Sequence, residues 1–318
     1  MKTSRRLFII EGPDGAGKST LANALAVATG APVVHLGPFK DVSEGLERLY
    51  AEAMLPAVLG YSDVILDRSW LSERPYGAVF RKGADRLGTA AVRQLERLAL
   101  RCRTVVVRAL PPKEVVIENF VRRKRKCVEA EMLDHVIQAE KVYDLYHDDF
   151  RTALPVYHYD YTATTKDEII EQLLDAPAGS FSLPHPLVWA SAGSLDAPVT
   201  LIGDAFTGHK NRDVLYRWPF STFGGGPAKW LALRLERAGI PESSLFWINA
   251  DNLTPAITGW LATTGKKIVA LGSTAKSVLE GSYLTPAFYT GHPNAMSRFK
   301  ATDEEDYELI PWLKENVS

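Results

Sequence analysis

Short apolar runs alternate with stretches of helical spacing from the start of the chain. Leu7–Ile10 has the pattern of a buried strand, and Leu21, Leu25 and Val27 among alanines predict a helix from Lys18 onward. Residues 32–36 follow as a strand, 43–59 as a largely helical stretch, and 63–66 as a strand ending in Asp67-Arg68. A helix is predicted over 89–100 and a β-branched strand over 104–110. Pro112 then opens a long helical stretch, a first-turn position where proline is tolerated. A last strand at 156–161 and a helix at 167–174 close this half. Such alternation predicts a parallel α/β sheet. Between 176 and 197 the chain turns to Pro, Gly, Ser and Ala, the composition of a connection. A second α/β pattern follows, with strands at 199–202, 244–248 and 267–271, and helices at 228–238 and from Thr274. The expected organisation is a domain over 1–175, a linker over 176–197 and a second α/β domain over 198–318. No internal repeat or low-complexity tract is visible.

A length of 318 residues suits two domains, and 46% hydrophobic with 24% charged residues is ordinary for a globular chain. A net charge of −1 provides no global pull toward nucleic acid, so such binding would rest on local patches. Cys102 and Cys127 are the only cysteines, too few for a four-cysteine zinc site or an iron–sulfur cluster. The apolar run at 7–10 is too short for a signal-peptide core, and no stretch approaches the ~20 apolar residues of a membrane span. The expectation is a cytoplasmic protein with no membrane partner; oligomeric state is not readable.

Gly12-Pro-Asp14-Gly15-Ala16-Gly17-Lys18-Ser19 fits G-x-x-x-x-G-K-[ST], and a predicted strand and helix flank it as that motif requires. Glycines let successive backbone N–H groups turn toward phosphate oxygens, and the helix N-terminus adds partial positive charge. Lys18 is expected to reach the β/γ-phosphates of ATP, Ser19 to ligate Mg²⁺, and Gly12, Asp14, Gly15, Ala16, Gly17 and Thr20 to complete the cradle. At the end of the 63–66 strand, Asp67 and Arg68 stand at the rim where open parallel sheets bind ligands. Asp67 is a candidate for Mg²⁺ or for orienting the acceptor, and Arg68 for clamping it. A helix cap with its ion-pair partner is the structural alternative. Ser72, Glu73 and Tyr76 follow at helical spacing.

Residues 8–20 resemble the opening of thymidylate kinases, and Asp67-Arg68-Ser69 with Ser72 and Tyr76 is similar to that family's D-R-[YS]-x-x-S-x-x-A-Y segment. The resemblance covers residues 7–175. It implies a P-loop kinase using ATP and Mg²⁺, a lid over the phosphates, and a thymine-type acceptor held by Ser72 and Tyr76. Arg122, Arg123 and Arg125, in the basic run 122–126, are the lid candidates; contact with DNA is the other reading of that run. Where the family carries an arginine and an acidic–Pro–Gly–Gly segment against the acceptor's phosphate, this chain has His35-Leu-Gly37-Pro38-Phe39-Lys40 and no arginine.

In the second half, Asp204 follows a strand, Phe220 lies in an aromatic and glycine cluster, Asn249 ends a strand and His292 opens His-Pro-Asn. An aromatic plate, an amide and a histidine on loops suit a flat heterocycle. Their order, with Ala270-Leu271-Gly272 and Ala275 between, resembles the uracil-DNA glycosylase superfamily over residues 198–300. It implies stacking by Phe220, base reading by Asn249, His292 near the sugar–base bond and Asp204 where a water-activating acid sits. The family's proline after that acid and the cluster cysteines of some branches are absent, so base capture is expected rather than glycosylase chemistry.

Together the two resemblances point to the thymidylate-kinase-like enzymes of bacteriophage DNA modification, which phosphorylate hydroxymethyluracil in DNA. The alternatives are a free deoxynucleoside monophosphate kinase, and a DNA-binding or glycosylase protein with a nucleotide-dependent switch.

Overall fold

A computed structural model describes residues 5–37, 45–124, 136–175, 191–204, 218–221, 226–298 and 307–317. The chain folds as two compact units, one formed by the described residues of 3–88 and 102–178, the other by those of 89–101 and 179–318. The segment 89–101, which holds a helix that the strand–helix alternation assigns to the first half, thus groups with the second unit.

In the first unit, β1 (Arg6–Glu11), β2 (Val33–His35), β3 (Val64–Asp67), β4 (Arg103–Ala109) and β5 (Val156–Tyr159) form a sheet in the order β2-β3-β1-β4-β5. All four pairings are parallel. The central strands are near-continuous apolar runs because both faces are covered. Helices α1 (Lys18–Thr29) and α7 (Lys166–Asp175) lie over one face, where Leu21, Leu25, Ile169 and Leu173 pack on Phe8, Ile10, Ile65 and Val107. The remaining helices of this unit are α2 (Leu46–Val58), α3 (Glu73–Phe80), α5 (Lys113–Lys124) and α6 (Val136–Asp148). Helix α4 (Gly88–Ala99) lies almost wholly within the second unit's segment.

The second unit has its own five-stranded sheet, β10-β9-β7-β8-β6, made of β6 (Ser191–Gly193), β7 (Val199–Gly203), β8 (Leu245–Asn249), β9 (Lys267–Leu271) and β10 (Phe288–Thr290). It is parallel except for β6, which runs antiparallel at the edge beside β8. Residues 191–193 therefore belong to a sheet, although their composition is that of the expected linker. Alternate residues face opposite ways. Leu201, Trp247 and Val269 pack with α8 (Gly226–Arg237) and α12 (Leu309–Asn316). Ile202, Phe246 and Ile248 pack with α9 (Pro255–Thr263) and α10 (Ser273–Gly281). A short α11 (Pro293–Arg298) completes the described α-helices. Among the described residues no helix is long and apolar enough to cross a membrane.

Candidate active site

In the first sheet the chain steps from β1 out to β2 and β3 on one side and to β4 and β5 on the other. The loop leaving β1 therefore opens at a topological switch point, where parallel sheets leave a crevice. Two glycines fix its path. At Gly12 (φ +144°) a Cβ would stand 2.2 Å from the Ala109 carbonyl oxygen; at Gly15 (φ +89°) it would stand 2.6 Å from that of Val116. Only glycine lets the loop pass so close to β4 and α5. Lys18 lies buried at the first turn of α1, its Nζ donating to the Pro13 carbonyl at 2.8 Å. Burial, with the nearby Arg68 charge, lowers its ammonium pKa to about 8, against the pull of Asp14, Asp67 and Glu11. A cation so held gains most from an incoming anion.

Asp67 ends β3 beside this loop. Its Oδ2 accepts from the Ser19 hydroxyl at 2.8 Å and lies 3.3 Å from His35 Nδ1, while its buried Oδ1 has no hydrogen-bond partner among the described residues. A buried carboxylate oxygen beside a serine hydroxyl is a hard-oxygen donor set suited to Mg²⁺, with Ser19 and Asp67 as the residues that would hold it. His35 and Asp67 meet because β2 and β3 run in parallel register with these two residues opposite one another.

Arg68 follows in a left-handed conformation (φ +75°). Its guanidinium pairs with Asp14 and lies 4.7 Å from the Tyr76 ring centre, and the Tyr76 hydroxyl donates to Asp14 at 3.2 Å. Burial is the largest single influence and works against the Arg68 charge, but Asp14, Tyr76, Tyr146 and Glu11 together outweigh it and raise its pKa. Ser72 serves a different web. Fully buried Glu11 accepts from the Ser69 amide (2.7 Å), the Ser69 hydroxyl (2.7 Å), the Ser72 hydroxyl (2.6 Å) and the Tyr146 hydroxyl (2.9 Å). Burial raises the Glu11 pKa, and those hydroxyls and Arg68 oppose the rise. Ser72 is thus spent inside the protein, fixing the turn after Asp67-Arg68, rather than presented toward an acceptor. Glu73 is likewise engaged, by Tyr50, Arg81 and Arg86.

Beside the loop a cavity of about 610 Å³ is lined by Gly15, Gly17, Thr20, Asn119, Tyr161 and Thr164, among others. Asn119 donates to the Tyr161 hydroxyl at 2.6 Å and to the Gly15 carbonyl at 3.3 Å, which ties α5 to the phosphate loop. The sequence carried no local signal for Asn119 or Tyr161, because neither lies in a motif. Of the lid candidates, Arg122 is in the last turn of α5 and ion-paired with Glu118, so the basic run begins inside the helix. Arg123 belongs to the same turn; Arg125, like Lys40, lies outside the described residues.

Asp204, Phe220, Asn249 and His292 come together in the second unit. The sheet reverses order about β7, so the ends of β7 and β9 flank its switch point. Gly203 ends β7 opposite Asn249, and the Phe220 ring fills the space a side chain there would take: a Cβ would stand 2.5 Å from that ring and 3.4 Å from Asn249 Oδ1. Phe220 stacks on the His292 ring, centres 5.7 Å apart at 25°. The Asn294 amide donates to His292 Nδ1 at 3.1 Å, placing the neutral ring's proton on Nε2. Burial lowers the His292 pKa, with Asp204 opposing. Asp204 accepts from the Ala275 amide at 2.9 Å and so caps α10, and Gly272 (φ +103°) leaves room for its carboxylate. That capping role is one the motif order did not reveal.

No protein-family model matches the sequence, nor does the sequence match any curated protein. Among solved structures, YorR protein from Bacillus subtilis in complex with phosphorylated GDP is similar at 24% identity and a TM-score of 0.41, over 53% of this chain and 94% of its own. The deoxyadenosine kinase of M. mycoides with bound dCTP is similar at 16% identity and a TM-score of 0.35, over 53% and 97%. Thymidylate kinase from Candida albicans gives 18% identity and a TM-score of 0.35, over 55% and 92%.

Proposed function

We propose that the chain is an ATP-dependent phosphotransferase whose acceptor is the hydroxymethyl group of a modified thymine, hydroxymethyluracil, in DNA. The observation that carries the transferase part is the convergence of Lys18, Ser19, Asp67 and Arg68 on the loop after β1. In this reading the loop amides and Lys18 bind the β/γ-phosphates, and Arg68 and the basic run from Arg122 add charge where the migrating group passes. Mg²⁺, held by Ser19 and Asp67, would neutralise charge on the phosphates. Asp67, beside His35, orients the acceptor hydroxyl and takes its proton as that oxygen bonds to the γ-phosphorus and the bond from the γ-phosphorus to the β-phosphate oxygen breaks, releasing ADP. The Glu11 web holds the Ser69–Ser72 turn so that Asp67 and Arg68 keep their aim.

The Phe220, Asn249 and His292 cluster supports the acceptor class. A ring stacked on histidine, beside an amide at a strand end, suits capture of a nucleobase taken out of a stack. Residues 35–40, which stand where the thymidylate kinases carry it, contain no arginine to make the fork expected of a site for a free nucleotide's phosphate dianion.

The test is transfer of label from γ-labelled ATP to dTMP, to unmodified DNA and to hydroxymethyluracil DNA, at low and moderate salt. The expected outcome is labelling of hydroxymethyluracil DNA that falls steeply with salt. Efficient, salt-insensitive conversion of dTMP without DNA labelling would make the chain a nucleotide kinase; base release from DNA would favour a glycosylase with a nucleotide switch.

A further inference from the structure

Helix α4 buries charge. Arg93 and Arg97 are 4% and 1% exposed, an unusual pair for the packed side of a helix. Both converge on Glu242, which is buried in the 3₁₀ turn Glu242–Ser244 before β8. Arg97 binds it through two nitrogens, Nε to Oε2 at 3.0 Å and Nη2 to Oε1 at 2.9 Å. Arg93 Nε reaches Oε1 at 3.0 Å, and Trp247 Nε1 donates to Oε2 at 3.0 Å. Arg93 also holds the Ile240 carbonyl at 2.8 Å and Glu236 at 3.1 Å. With two nitrogens fixed on Glu242 and its guanidinium 4.1 Å from the Trp247 ring centre, Arg97 can point its Nη1 in only one direction. That nitrogen donates to the Phe220 carbonyl at 3.0 Å.

Phe220 is in the left-handed region (φ +53°), which an aromatic L residue adopts only where its surroundings impose it. Here the surroundings are the Arg97 bond on its carbonyl, Gly203 beneath its ring and His292 against it. Buried arginine–carboxylate sets add little stability over apolar side chains of similar volume, so what this one contributes is direction.

We infer that Arg97, oriented by Glu242, is the positioning residue that holds the Phe220 ring as the stacking plate for a captured base, so that residues 89–101, which interrupt the first half of the sequence, are part of the base-capture site. The inference rests on the base-capture reading of the second unit. It also means that residues 176–318 alone lack Arg97, a side chain their site requires.

The experiment uses the full chain. Arg97→Lys keeps the charge and loses the fork, and Phe220→Ala is the reference for loss of the plate. Two quantities are read: the NMR signals of the His292 ring, assigned with His292→Gln, which sense the stacked Phe220; and affinity for a single-stranded oligonucleotide containing hydroxymethyluracil, with Mg·ADP affinity as control. Arg97→Lys is expected to move the His292 signals toward their Phe220→Ala positions and to weaken oligonucleotide binding about tenfold or more. The double variant should lose no more than Phe220→Ala alone, with Mg·ADP affinity unchanged. Should Arg97→Lys fail to fold, the triple variant Arg93→Met/Arg97→Met/Glu242→Leu removes the buried charges together, and the same shift is expected there. Unmoved His292 signals in a folded variant, or losses that multiply in the double variant, would overturn the inference. If Phe220→Ala itself leaves oligonucleotide binding intact, the base-capture reading falls instead, and the His292 signals, recorded without DNA, tell the two failures apart.

Discussion

Lys18 shows what the phosphate site costs the fold. Its pKa lies near 8 in the folded chain, below the ordinary lysine value of 10.5, chiefly because it is buried. The unfolded chain therefore binds more protons between those values, and stability rises with pH through that window; below pH 8 the penalty of burying the cation is present in full. Lys18→Met should accordingly raise stability at pH 7, by at most about 3 kcal/mol, while removing phosphate transfer. Chemical denaturation at pH 7 and pH 10 checks this: the gain should be clear at the lower pH and shrink at the higher. Equal effects at both would mean that Lys18 is not held as a costly cation. Glu11 makes the complementary point about what sequence conceals. It was visible only as the residue before a phosphate loop, yet it is the acceptor for Ser69, Ser72 and Tyr146, the last 135 positions away. No local pattern announces such a partner.

At the scale of elements, the strands of the first half and the motifs at their ends were legible, because apolar runs and loop glycines are local signals. Asp67 falls at the end of β3 and Gly12 directly after β1, as the spacing predicts. The edge strand β6 was not legible: Ser191, Ala192 and Gly193 have the composition of a linker, and pairing with β8 makes them a strand. Glycines of similar appearance also differ in ways sequence does not show. Gly12→Ala should cost about 3 kcal/mol and nucleotide binding, since both the clash with Ala109 and the backbone angle oppose it. Gly30→Ala, at φ +70° with nothing within 4 Å of its added carbon, should cost only about 1 kcal/mol. Thermal unfolding of the two variants checks the contrast, and comparable losses would show that the Gly12 approach to β4 is not close.

For the molecule as a whole, the sequence showed two α/β patterns and the candidate residues of each, but not that α4 would group with the second. Nothing in the sequence marked its Arg93 and Arg97 as buried, because their burial depends on Glu242, 149 and 145 positions on. Likewise Asp204, Phe220, Asn249 and His292 were legible as an ordered series, while the capping of α10 by Asp204 and the left-handed Phe220 depended on packing. The activity proposed for the molecule is passage of phosphate from ATP to a base within DNA. The decisive experiment incubates the full chain with γ-labelled ATP and hydroxymethyluracil DNA, digests the product to nucleosides, and locates the label, with Lys18→Ala as control. Label is expected on the 5-hydroxymethyl oxygen of the modified nucleoside, and none with Lys18→Ala. Label confined to strand ends or to a free nucleotide, or persisting in the Lys18→Ala reaction, would contradict the proposed transfer.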